Sequence, residues 1–195
     1  MSPQRIVLAS TSPRRREILE VLGIPIEVVH VDVDESPLPG ESPGAMVLRL
    51  AAAKAEAAKS AGRLVLAADT AVVVDDQALG KPLGETDALA MLEALSGRTH
   101  RVLTGVALRS PEGLRTALSD TEVEFREIGR DEALAYWQSG EPRDKAGAYA
   151  IQGLGGAFVR RIAGSQSGVV GLPVFETLQL LAAAGFDVFD KAIRQ

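Results

Sequence analysis

The segment Ile6-Val7-Leu8-Ala9-Ser10-Thr11-Ser12-Pro13 leads an apolar run directly into a helix start. Its first four residues predict a short buried strand. Ser12 is a typical N-cap, and Pro13 suits the first helical position because that position needs no backbone N–H donor. The helix is expected to run to Leu22 and to end at Gly23. Strand, tight turn and helix therefore form the first unit of the predicted fold.

Strand-like and helix-like segments alternate along the rest of the chain. Further strands are predicted at residues 26–33, 64–74, 102–108, 121–125 and 158–162, and further helices at residues 42–60, 86–95, 131–139 and 173–185. This interleaving favours an α/β fold with a mixed sheet covered by helices over an all-α or sandwich fold. No tandem repeat or low-complexity tract interrupts the sequence, so we expect a single domain over residues 1–195.

The composition excludes several classes of function. The 195 residues include 21 basic and 26 acidic side chains, and a net charge of −5 disfavours duplex nucleic acid as a partner. No stretch reaches the roughly 20 apolar residues of a membrane span, and the N-terminus lacks the long apolar core of a signal peptide. We therefore expect no membrane partner and a cytoplasmic location. The absence of cysteine excludes thiolate zinc sites, and two histidines are too few for a histidine-rich metal site.

Three arginines follow the predicted N-cap, in the run Ser12-Pro13-Arg14-Arg15-Arg16. A helix N-terminus has unpaired N–H groups and the positive end of the dipole, so basic residues there are unfavourable unless an anion lies beside them. On a helical wheel Arg15 shares the apolar face, Arg14 flanks it and Arg16 points away. We expect Arg14 and Arg15 to bind phosphate. The structural alternative is an ion pair with one of the protein's own carboxylates.

Two charged residues interrupt elements that are otherwise apolar. Lys54 lies in the apolar stripe of the helix at 42–60, where it either extends to the rim or points into a cleft that holds a polyanion. Asp69 lies in the middle of the apolar strand at 64–74, where an unpaired carboxylate is costly. It therefore needs a metal, a lysine or a substrate-bound water as its partner. In a purely structural role it would instead accept backbone N–H groups at a bulge.

Three further charged residues lie in predicted loops. Lys81 comes just after a predicted hairpin turn, from which it can reach back toward Asp69. The pair Asp34-Glu35 follows a strand, and such a pair is most often simply solvated. Beside a phosphate pocket, however, these two carboxylates become candidate ligands for Mg²⁺ or Mn²⁺, which prefer oxygen donors together with phosphate oxygens.

A glycine-rich segment at residues 144–156 carries a single glutamine, Gln152. Its glycines allow the backbone to approach a flat ligand closely. The amide of Gln152 offers a donor and an acceptor in one plane, which is the pattern needed to read a nucleobase edge. The structural alternative is a loop whose polar side chains are solvated.

Seven short motifs occur in order along the chain. They are Ser10-Thr11-Ser12-Pro13-Arg14-Arg15, Ala68-Asp69-Thr70, Gly80-Lys81-Pro82, Leu95-Ser96-Gly97, Asp144-Lys145-Ala146-Gly147-Ala148-Tyr149, Ile151-Gln152-Gly153 and Val170-Gly171-Leu172-Pro173. Each motif alone is weak, but the ordered set spans nearly the whole chain and closely resembles the Maf family of nucleoside triphosphate pyrophosphatases. The resemblance implies a homodimer of elongated α/β subunits. In each subunit a mixed twisted sheet flanked by helices would form two lobes around a central cleft, similar in shape to inosine triphosphate pyrophosphatases.

The resemblance also implies a reaction. A nucleoside triphosphate would be hydrolysed between its α- and β-phosphates, releasing the monophosphate and pyrophosphate, with a divalent metal cation (Mg²⁺ or Mn²⁺) as cofactor. Asp69 matches the general base that activates water. The positions that match phosphate-binding residues are Ser12, Arg14, Arg15, Lys54 and Lys81, and those that match metal-binding acids are Asp34, Glu35 and Asp69.

Within the family, this sequence resembles the branch that acts on dTTP and UTP, and modified pyrimidine nucleotides are further candidate substrates. The selectivity residues of that branch match Arg15, Thr70 and Gln152. The branch that acts on 7-methyl-GTP carries a bulky aromatic residue before the paired arginines and a glutamine after the aspartate, and this sequence has neither. Two positions depart from the family pattern, with Asp34 in place of a commoner glutamate and Ala150 in place of a glycine.

Two other functions are compatible with the same residues. The family has also been linked to inhibition of septum formation, so the protein could be a nucleotide-binding regulator of cell division without essential catalysis. A phosphatase that releases orthophosphate would use similar side chains. Asp69 argues against a pure binding module, because a lone acid beside a triphosphate repels the ligand.

Overall fold

A computed structural model describes residues 5–60 and 62–189 of the chain. Residues 1–4, 61 and 190–195 of the predicted domain lie outside the described residues. The strands are β1 (Ile6–Leu8), β2 (Ile26–Val28), β3 (Val65–Val74), β4 (Gln77–Leu79), β5 (Thr99–Ser110), β6 (Gly113–Phe125) and β7 (Val159–Ala163). The helices are α1 (Pro13–Val21), α2 (Pro43–Ala57), α3 (Glu85–Leu95), α4 (Arg130–Gln138), α5 (Gln166–Val170) and α6 (Val174–Ala183). No helix in this part of the chain has both the length and the apolar character that a bilayer span requires.

All of these strands belong to one mixed sheet, in the order β2-β1-β3-β5-β6-β7, with β4 paired to β3. Strand β1 runs parallel to β2 and β3, and the other pairs are antiparallel. Successive residues of a strand point to opposite faces. Leu66 and Ala68 of β3 pack against α6, whereas Val65 and Ala67 pack against α2, so helices cover both faces. The predicted α/β class, a mixed sheet flanked by helices, is confirmed.

The edge of β3 that faces β1 is not paired along its whole length. Strand β1 pairs with Val65 and Leu66, and β4 pairs with residues 72–74. Between them, residues 67–71 have no partner on this edge among the described strands, although β5 pairs with the opposite edge from Val65 to Val73. We call this interruption the sheet gap. Asp69 and Thr70 lie at its centre and are partly exposed, whereas the residues on either side of them are buried.

The hydrophobic core is divided between the two halves of β3. Around the first half, Leu66 and Ala68 belong to a cluster that includes residues of α1 and α6. Around the second half, Val72 and Val74 belong to a cluster that includes residues of α3 and α4. The sheet gap lies between these clusters, and this arrangement agrees with the two lobes that the family resemblance implies.

Several predicted strand boundaries are wrong, because the length of a strand depends on the strand with which it pairs. The strand predicted at 26–33 ends at Val28, because β1, the one described strand that pairs with it, ends at Leu8. Strands β5 and β6 extend well beyond the predicted segments and form a long hairpin that closes at Ser110 and Gly113. Helix α5 has no counterpart among the predicted helices. It begins after Ser165, whose hydroxyl accepts a hydrogen bond from the backbone of Gly168.

Helix α2 lies directly on β5 at Gly105. A Cβ atom at this position would lie 2.5 Å from the carbonyl oxygen of Val47 and 2.8 Å from the backbone nitrogen of Leu48. Gly105 is the residue of β5 that pairs with Asp69. The missing side chain therefore lets the backbone of α2 approach the sheet beside the sheet gap, and Lys54 follows Val47 by about two helical turns.

The substitution Gly105→Ala is expected to push α2 away from the sheet, because the added methyl group meets backbone atoms that cannot rotate aside. Overpacking of this kind typically lowers the free energy of unfolding by about 1–3 kcal/mol. Urea unfolding of the variant measures the loss. The matched control is Gly80→Ala, where an added Cβ would meet no atom within 4 Å. Equal unfolding midpoints for the two variants would show that α2 does not need this close approach.

Candidate active site

The centre of the candidate site is an ion-paired group of three side chains. The Nζ atom of Lys54 lies 2.7 Å from Oδ1 of Asp69 and 2.5 Å from Oε1 of Glu35. The side chains of Lys54 and Asp69 are only 12% and 14% exposed, whereas that of Glu35 is 58% exposed. Among the partners expected for the strand carboxylate, the structure supplies a lysine. Lys54 in turn points inward to the carboxylates and not outward to solvent.

Several positively charged side chains lie around Glu35, the exposed acid of this group. The hydrogen bond from Lys54 lowers the pKa of Glu35 against the opposing effect of burial, and the charges of Lys54, Lys81 and Arg15 lower it further. Lys81 follows β4 and is exposed. Its ammonium group forms no hydrogen bond or ion pair with any described residue, so it remains available to a ligand.

Arg15 extends from α1 to the opposite side of the sheet gap. Its Nε donates to the carbonyl oxygen of Gly171 (2.7 Å), Nη1 donates to Oγ of Ser10 (3.1 Å), and Nη2 donates to Oγ1 of Thr70 (3.2 Å). All three acceptors are uncharged, so the described residues do not supply the carboxylate ion pair of the structural alternative. A guanidinium group has five N–H donors. One donor on each Nη atom therefore remains for a ligand.

The charge of Arg15 is only partly compensated by its surroundings. Burial lowers the pKa of Arg15, the charge of Asp69 opposes this effect, and the neighbouring Arg14 lowers the pKa further. A desolvated guanidinium that has only neutral hydrogen-bond partners gains stability when an anion lies beside it. The local electrostatics therefore favour a bound anion at this end of the site.

The hydroxyl of Thr70 belongs to a hydrogen-bond chain with a fixed direction. Thr104 of β5 lies opposite Thr70 and donates its only hydroxyl proton to the carbonyl oxygen of Gly168 (2.8 Å). The 3.0 Å contact between Oγ1 of Thr70 and Oγ1 of Thr104 must then be donated by Thr70. Because Thr70 also accepts a hydrogen bond from Arg15, its proton and one lone pair are committed to protein partners.

The N-terminus of α1 differs from that of α2 in how its N–H groups are satisfied. The hydroxyl of Ser42 caps α2 by accepting a hydrogen bond from the backbone of Ala45 (3.3 Å). Ser12 occupies the same position in α1, but its hydroxyl accepts no such bond from the helix. The Ser12 hydroxyl therefore leaves the first N–H groups of α1 uncapped.

The other two arginines of the run have different surroundings. Arg14 is partly buried, and its guanidinium forms no hydrogen bond or ion pair within the described residues. The pKa of Asp144 is lowered mainly by its hydrogen bond with Lys145 and additionally by the charge of Arg14, so Arg14 lies near the glycine-rich segment. Arg16 points away from the site, as predicted, and pairs with Glu20 one turn along α1.

The predicted metal-binding acids are not brought together as a set of three. Oδ1 of Asp34, which is exposed, accepts a hydrogen bond from the backbone of Ser36 (2.9 Å). Hydrogen bonding with the side chain of Ser36, and then with its backbone, lowers the pKa of Asp34. Glu35 and Asp69 converge on Lys54. Within residues 5–60 and 62–189, no three histidine, aspartate or glutamate side chains are arranged to hold a metal ion. The structure therefore offers two converging carboxylates.

The glycine-rich segment packs against the second half of β3. The backbone N–H of Gly147 donates to the carbonyl oxygen of Gly80 (3.0 Å), and a Cβ at Gly147 would lie 2.8 Å from Cγ1 of Val72. This contact brings the segment next to Lys81. Gln152 lies further along, exposed, and its amide forms no hydrogen bond with any described residue. The structure gives Gln152 no direct contact with the other predicted site residues.

Sequence analysis assigned no role to three residues that organise the site. Ser10 and Gly171 accept hydrogen bonds from Arg15, and Thr104 orients Thr70. Thr104 carried a detectable signal, because it is a polar residue inside an apolar strand, as Asp69 is. Gly171 lies in one of the seven ordered motifs, but its role depends on a backbone carbonyl that only the tertiary structure brings to Arg15.

Comparisons with known proteins give the family of the chain. A sequence profile described as Maf-like protein matches residues 5–184. Three curated relatives are named dTTP/UTP pyrophosphatase. The relative from Anaeromyxobacter dehalogenans is 55% identical over 190 residues, covering 95% of this chain and 96% of that protein. The relative from Methylococcus capsulatus is 52% identical over 184 residues, covering 93% and 91%. The relative from Pseudoalteromonas atlantica is 49% identical over 183 residues, covering 91% and 95%.

A solved structure of the Staphylococcus aureus Ham1 protein aligns with a TM-score of 0.46 at 19% identity, over 65% of this chain and 73% of that chain. This likeness is too distant to bear on function. The profile match, by contrast, spans all seven ordered motifs, and the three relatives align over nearly their whole length. The chain therefore belongs to the Maf family.

Proposed function

We propose that this protein is a nucleoside triphosphate pyrophosphatase that hydrolyses dTTP and UTP, and modified pyrimidine triphosphates, to the monophosphate and pyrophosphate. The observation that carries the proposal is the position of Asp69, a single strand carboxylate in the sheet gap, 2.7 Å from Lys54 and near Arg15. Hydrolysis of a phosphoanhydride needs this combination of one acid and several cations. The names of the relatives support the choice of substrates.

The cations would neutralise the triphosphate. The positive charges of Arg14 and Lys81 form no ion pair with any described residue. Arg15 keeps two N–H donors that are not used in its hydrogen bonds to the protein. The uncapped start of α1, with the hydroxyl of Ser12, adds further donors for phosphate oxygens. Lys54 would exchange part of its interaction with Glu35 for a phosphate oxygen. The cations would stabilise the transition state most at the leaving pyrophosphate, because negative charge grows there during the reaction.

Asp69 would act on the attacking water. Its Oδ1 atom is held by Lys54, which fixes the orientation of the carboxylate and leaves Oδ2 without a donor among the described residues. A water that donates to Oδ2 would be oriented by the carboxylate and would lose its proton to it as the bond to phosphorus forms. General-base assistance of this kind contributes a factor of about 10² to 10⁴ in rate.

A divalent metal cofactor fits the donor set that the structure offers. Mg²⁺ is commonly held by one or two carboxylates together with phosphate oxygens, and Glu35 and Asp69 present two converging carboxylates. These two residues would hold the ion, and Asp34 would remain outside its direct ligands. The ion would supply additional neutralisation of the phosphate oxygens.

The base would be recognised through Arg15, Thr70 and Gln152. The proton of Thr70 is already donated to Thr104, so Thr70 would act mainly by orienting Arg15. The amide of Gln152 is exposed and free of protein partners, so it can donate and accept along a pyrimidine edge. A single-domain subunit, assembly as a homodimer and a cytoplasmic location complete the proposal.

Replacing Asp69 with asparagine tests the catalytic role. The variant Asp69→Asn is expected to lower kcat for UTP about 10²- to 10⁴-fold, because the amide cannot take a proton from water. Binding of a UTP analogue with a non-hydrolysable α,β-linkage should stay within a few-fold, since the lost charge is one that repels the ligand. The measurement is a metal-supplemented assay that separates pyrophosphate from orthophosphate.

The matched control for Asp69→Asn is Asp120→Asn, which removes an exposed ion pair with Arg101 on the β5–β6 hairpin. It should keep the parental kcat. Equal losses of turnover and analogue binding in Asp69→Asn would show that Asp69 is structural. Release of orthophosphate as the first product of the parent enzyme would identify a phosphatase instead.

Replacing Gln152 tests base recognition. The variant Gln152→Ala is expected to lower the ratio of kcat/KM for UTP to that for CTP about three- to tenfold, the worth of one or two net hydrogen bonds. Its kcat for UTP should change much less. Gln138→Ala, an exposed glutamine at the end of α4, is the control. An unchanged UTP preference would remove Gln152 from the recognition residues.

Replacing Lys54 tests the ion-paired centre. In Lys54→Met the pKa of Glu35 should rise toward its ordinary value, because the hydrogen bond that lowers it is lost. A lowered pKa in the folded state stabilises the protein above the ordinary carboxyl pKa, and this contribution fades as the pH falls through the folded value. Carboxyl NMR titration of Glu35 measures the shift. Lys59→Met, at an exposed lysine beyond α2, should leave the titration unchanged. An unchanged pKa of Glu35 in Lys54→Met would refute the ion pair between Lys54 and Glu35.

A further inference from the structure

We propose that Glu141, together with Tyr136, is a positioning residue that holds the loop of residues 150–155 in the conformation that presents Gln152 to the base. The inference rests on the proposed function and deepens it, because it assigns base selectivity partly to two residues that do not touch the substrate. Glu141 follows α4, and Tyr136 lies within α4.

Glu141 binds the part of the loop that begins two residues after Gln152. Its Oε2 accepts the backbone N–H of Leu154 (2.9 Å), and its Oε1 accepts the backbone N–H of Gly155 (3.0 Å). The two carboxylate oxygens thus accept the N–H groups of two consecutive residues, one each. A charged acceptor makes such bonds stronger than a neutral one does.

Tyr136 binds the loop two residues before Gln152. Its hydroxyl accepts the backbone N–H of Ala150 (3.0 Å) and donates its proton to Oε1 of Glu141 (2.8 Å). The loop is therefore fixed two residues before Gln152 and two residues after it. Gln152 itself keeps an exposed side chain without a hydrogen-bond partner among the described residues, so its amide is left for a ligand.

Two glycines allow the loop to lie this close to the clamp formed by Glu141 and Tyr136. A Cβ at Gly153 would lie 2.3 Å from Oε2 of Glu141, and a Cβ at Gly155 would lie 2.5 Å from the hydroxyl oxygen of Tyr136. The backbone of Gly153 is extended, with φ 167°, so the requirement there is for space and not for an unusual conformation. The glycines of this segment therefore serve contact with the protein, where the sequence alone suggested contact with a flat ligand.

The protonation states match the directions of these hydrogen bonds. Burial alone would raise the pKa of Glu141, but the N–H groups of Gly155 and Leu154 and the hydroxyl of Tyr136 outweigh it and lower the pKa. Burial raises the pKa of Tyr136. At neutral pH the carboxylate is therefore an acceptor of three hydrogen bonds, and the phenol keeps the proton that it donates.

The clamp is anchored in the hydrophobic core. The ring of Tyr136 packs edge-on against Phe158, with centroids 5.0 Å apart, inside the second core cluster. The charge of Arg14 acts on the Tyr136 hydroxyl, which places the clamp within electrostatic reach of α1. A loop that is already fixed to the core in this way loses less conformational entropy when a nucleotide binds than a mobile loop would.

The test uses Glu141→Gln, which keeps the size of the side chain but replaces one acceptor oxygen with an NH₂ group that cannot accept the N–H of Leu154 or Gly155. The expected result is a fall of about threefold or more in the UTP-to-CTP ratio of kcat/KM and a rise in KM for UTP, with kcat within about threefold of the parent. The inhibition constant of pyrophosphate should not change, because pyrophosphate has no base. Tyr136→Phe removes the bond to Ala150 and should shift selectivity in the same direction.

The matched control is Glu132→Gln in the neighbouring helix α4, where the carboxylate pairs with Arg126 at the surface. It should leave the UTP-to-CTP ratio at the parental value. Thermal unfolding identifies a variant that fails to fold, in which case Tyr136→Phe, which leaves the carboxylate in place, decides the question.

Amide hydrogen exchange gives a readout that does not depend on catalysis. In the ligand-free enzyme, the amides of Leu154 and Gly155 should exchange faster in Glu141→Gln than in the parent. Unchanged exchange would show that the clamp does not hold the loop. Faster exchange with an unchanged UTP-to-CTP ratio would show that the clamp is structural only, and either result overturns the inference.

Failure of the proposed function has a different signature from failure of this inference. If the parent enzyme released no pyrophosphate from UTP or dTTP, the proposed function would be wrong, and the role of Glu141 in selectivity would be overturned with it. If the parent hydrolyses both nucleotides and Glu141→Gln keeps the parental selectivity, only the positioning role is wrong.

Discussion

Incomplete pairing along one edge of β3 is the constraint on which the rest of the site depends. A central strand is normally paired on both edges, but β1 ends opposite Leu66 and β4, which runs antiparallel to β3, ends opposite Val72. Asp69 and Thr70 point to opposite faces of the sheet, because successive strand residues alternate. Lys54 reaches Asp69 on one face and Arg15 reaches Thr70 on the other. Only an open strand edge lets a single ligand approach both.

The site is also defined by how its charges are balanced. Lys54 has two carboxylate partners, whereas Arg15 has three neutral ones. Arg14 and Lys81 make no ion pair within the part of the chain that the structure describes. In a protein with a net charge of −5, positive charge that is left uncompensated at one place marks that place for an anion. The acid that remains among these cations is held by Lys54 and is placed to act on water.

Part of this arrangement could be predicted from residue type and local pattern. Asp69 in an apolar strand and Lys54 in an apolar helix stripe each conflict with their surroundings, and such conflicts are the expected signature of a functional site. The prediction went wrong where tertiary pairing decided the outcome. The strand predicted at 26–33 is cut short by the length of β1. Both Asp34 and Glu35 were candidates for the site, and it is Glu35 that lies beside Lys54.

The sequence by itself determined the α/β class, the family and the residue types needed for phosphoanhydride chemistry, because periodicity, capping and ordered motifs are local properties of the chain. The tertiary structure alone decided which of these residues meet. The bond from Arg15 to Thr70 joins positions 55 apart, and that from Arg15 to Gly171 joins positions 156 apart. Contacts at such separations arise from packing of the whole sheet and its helices, and no local pattern of residues encodes them.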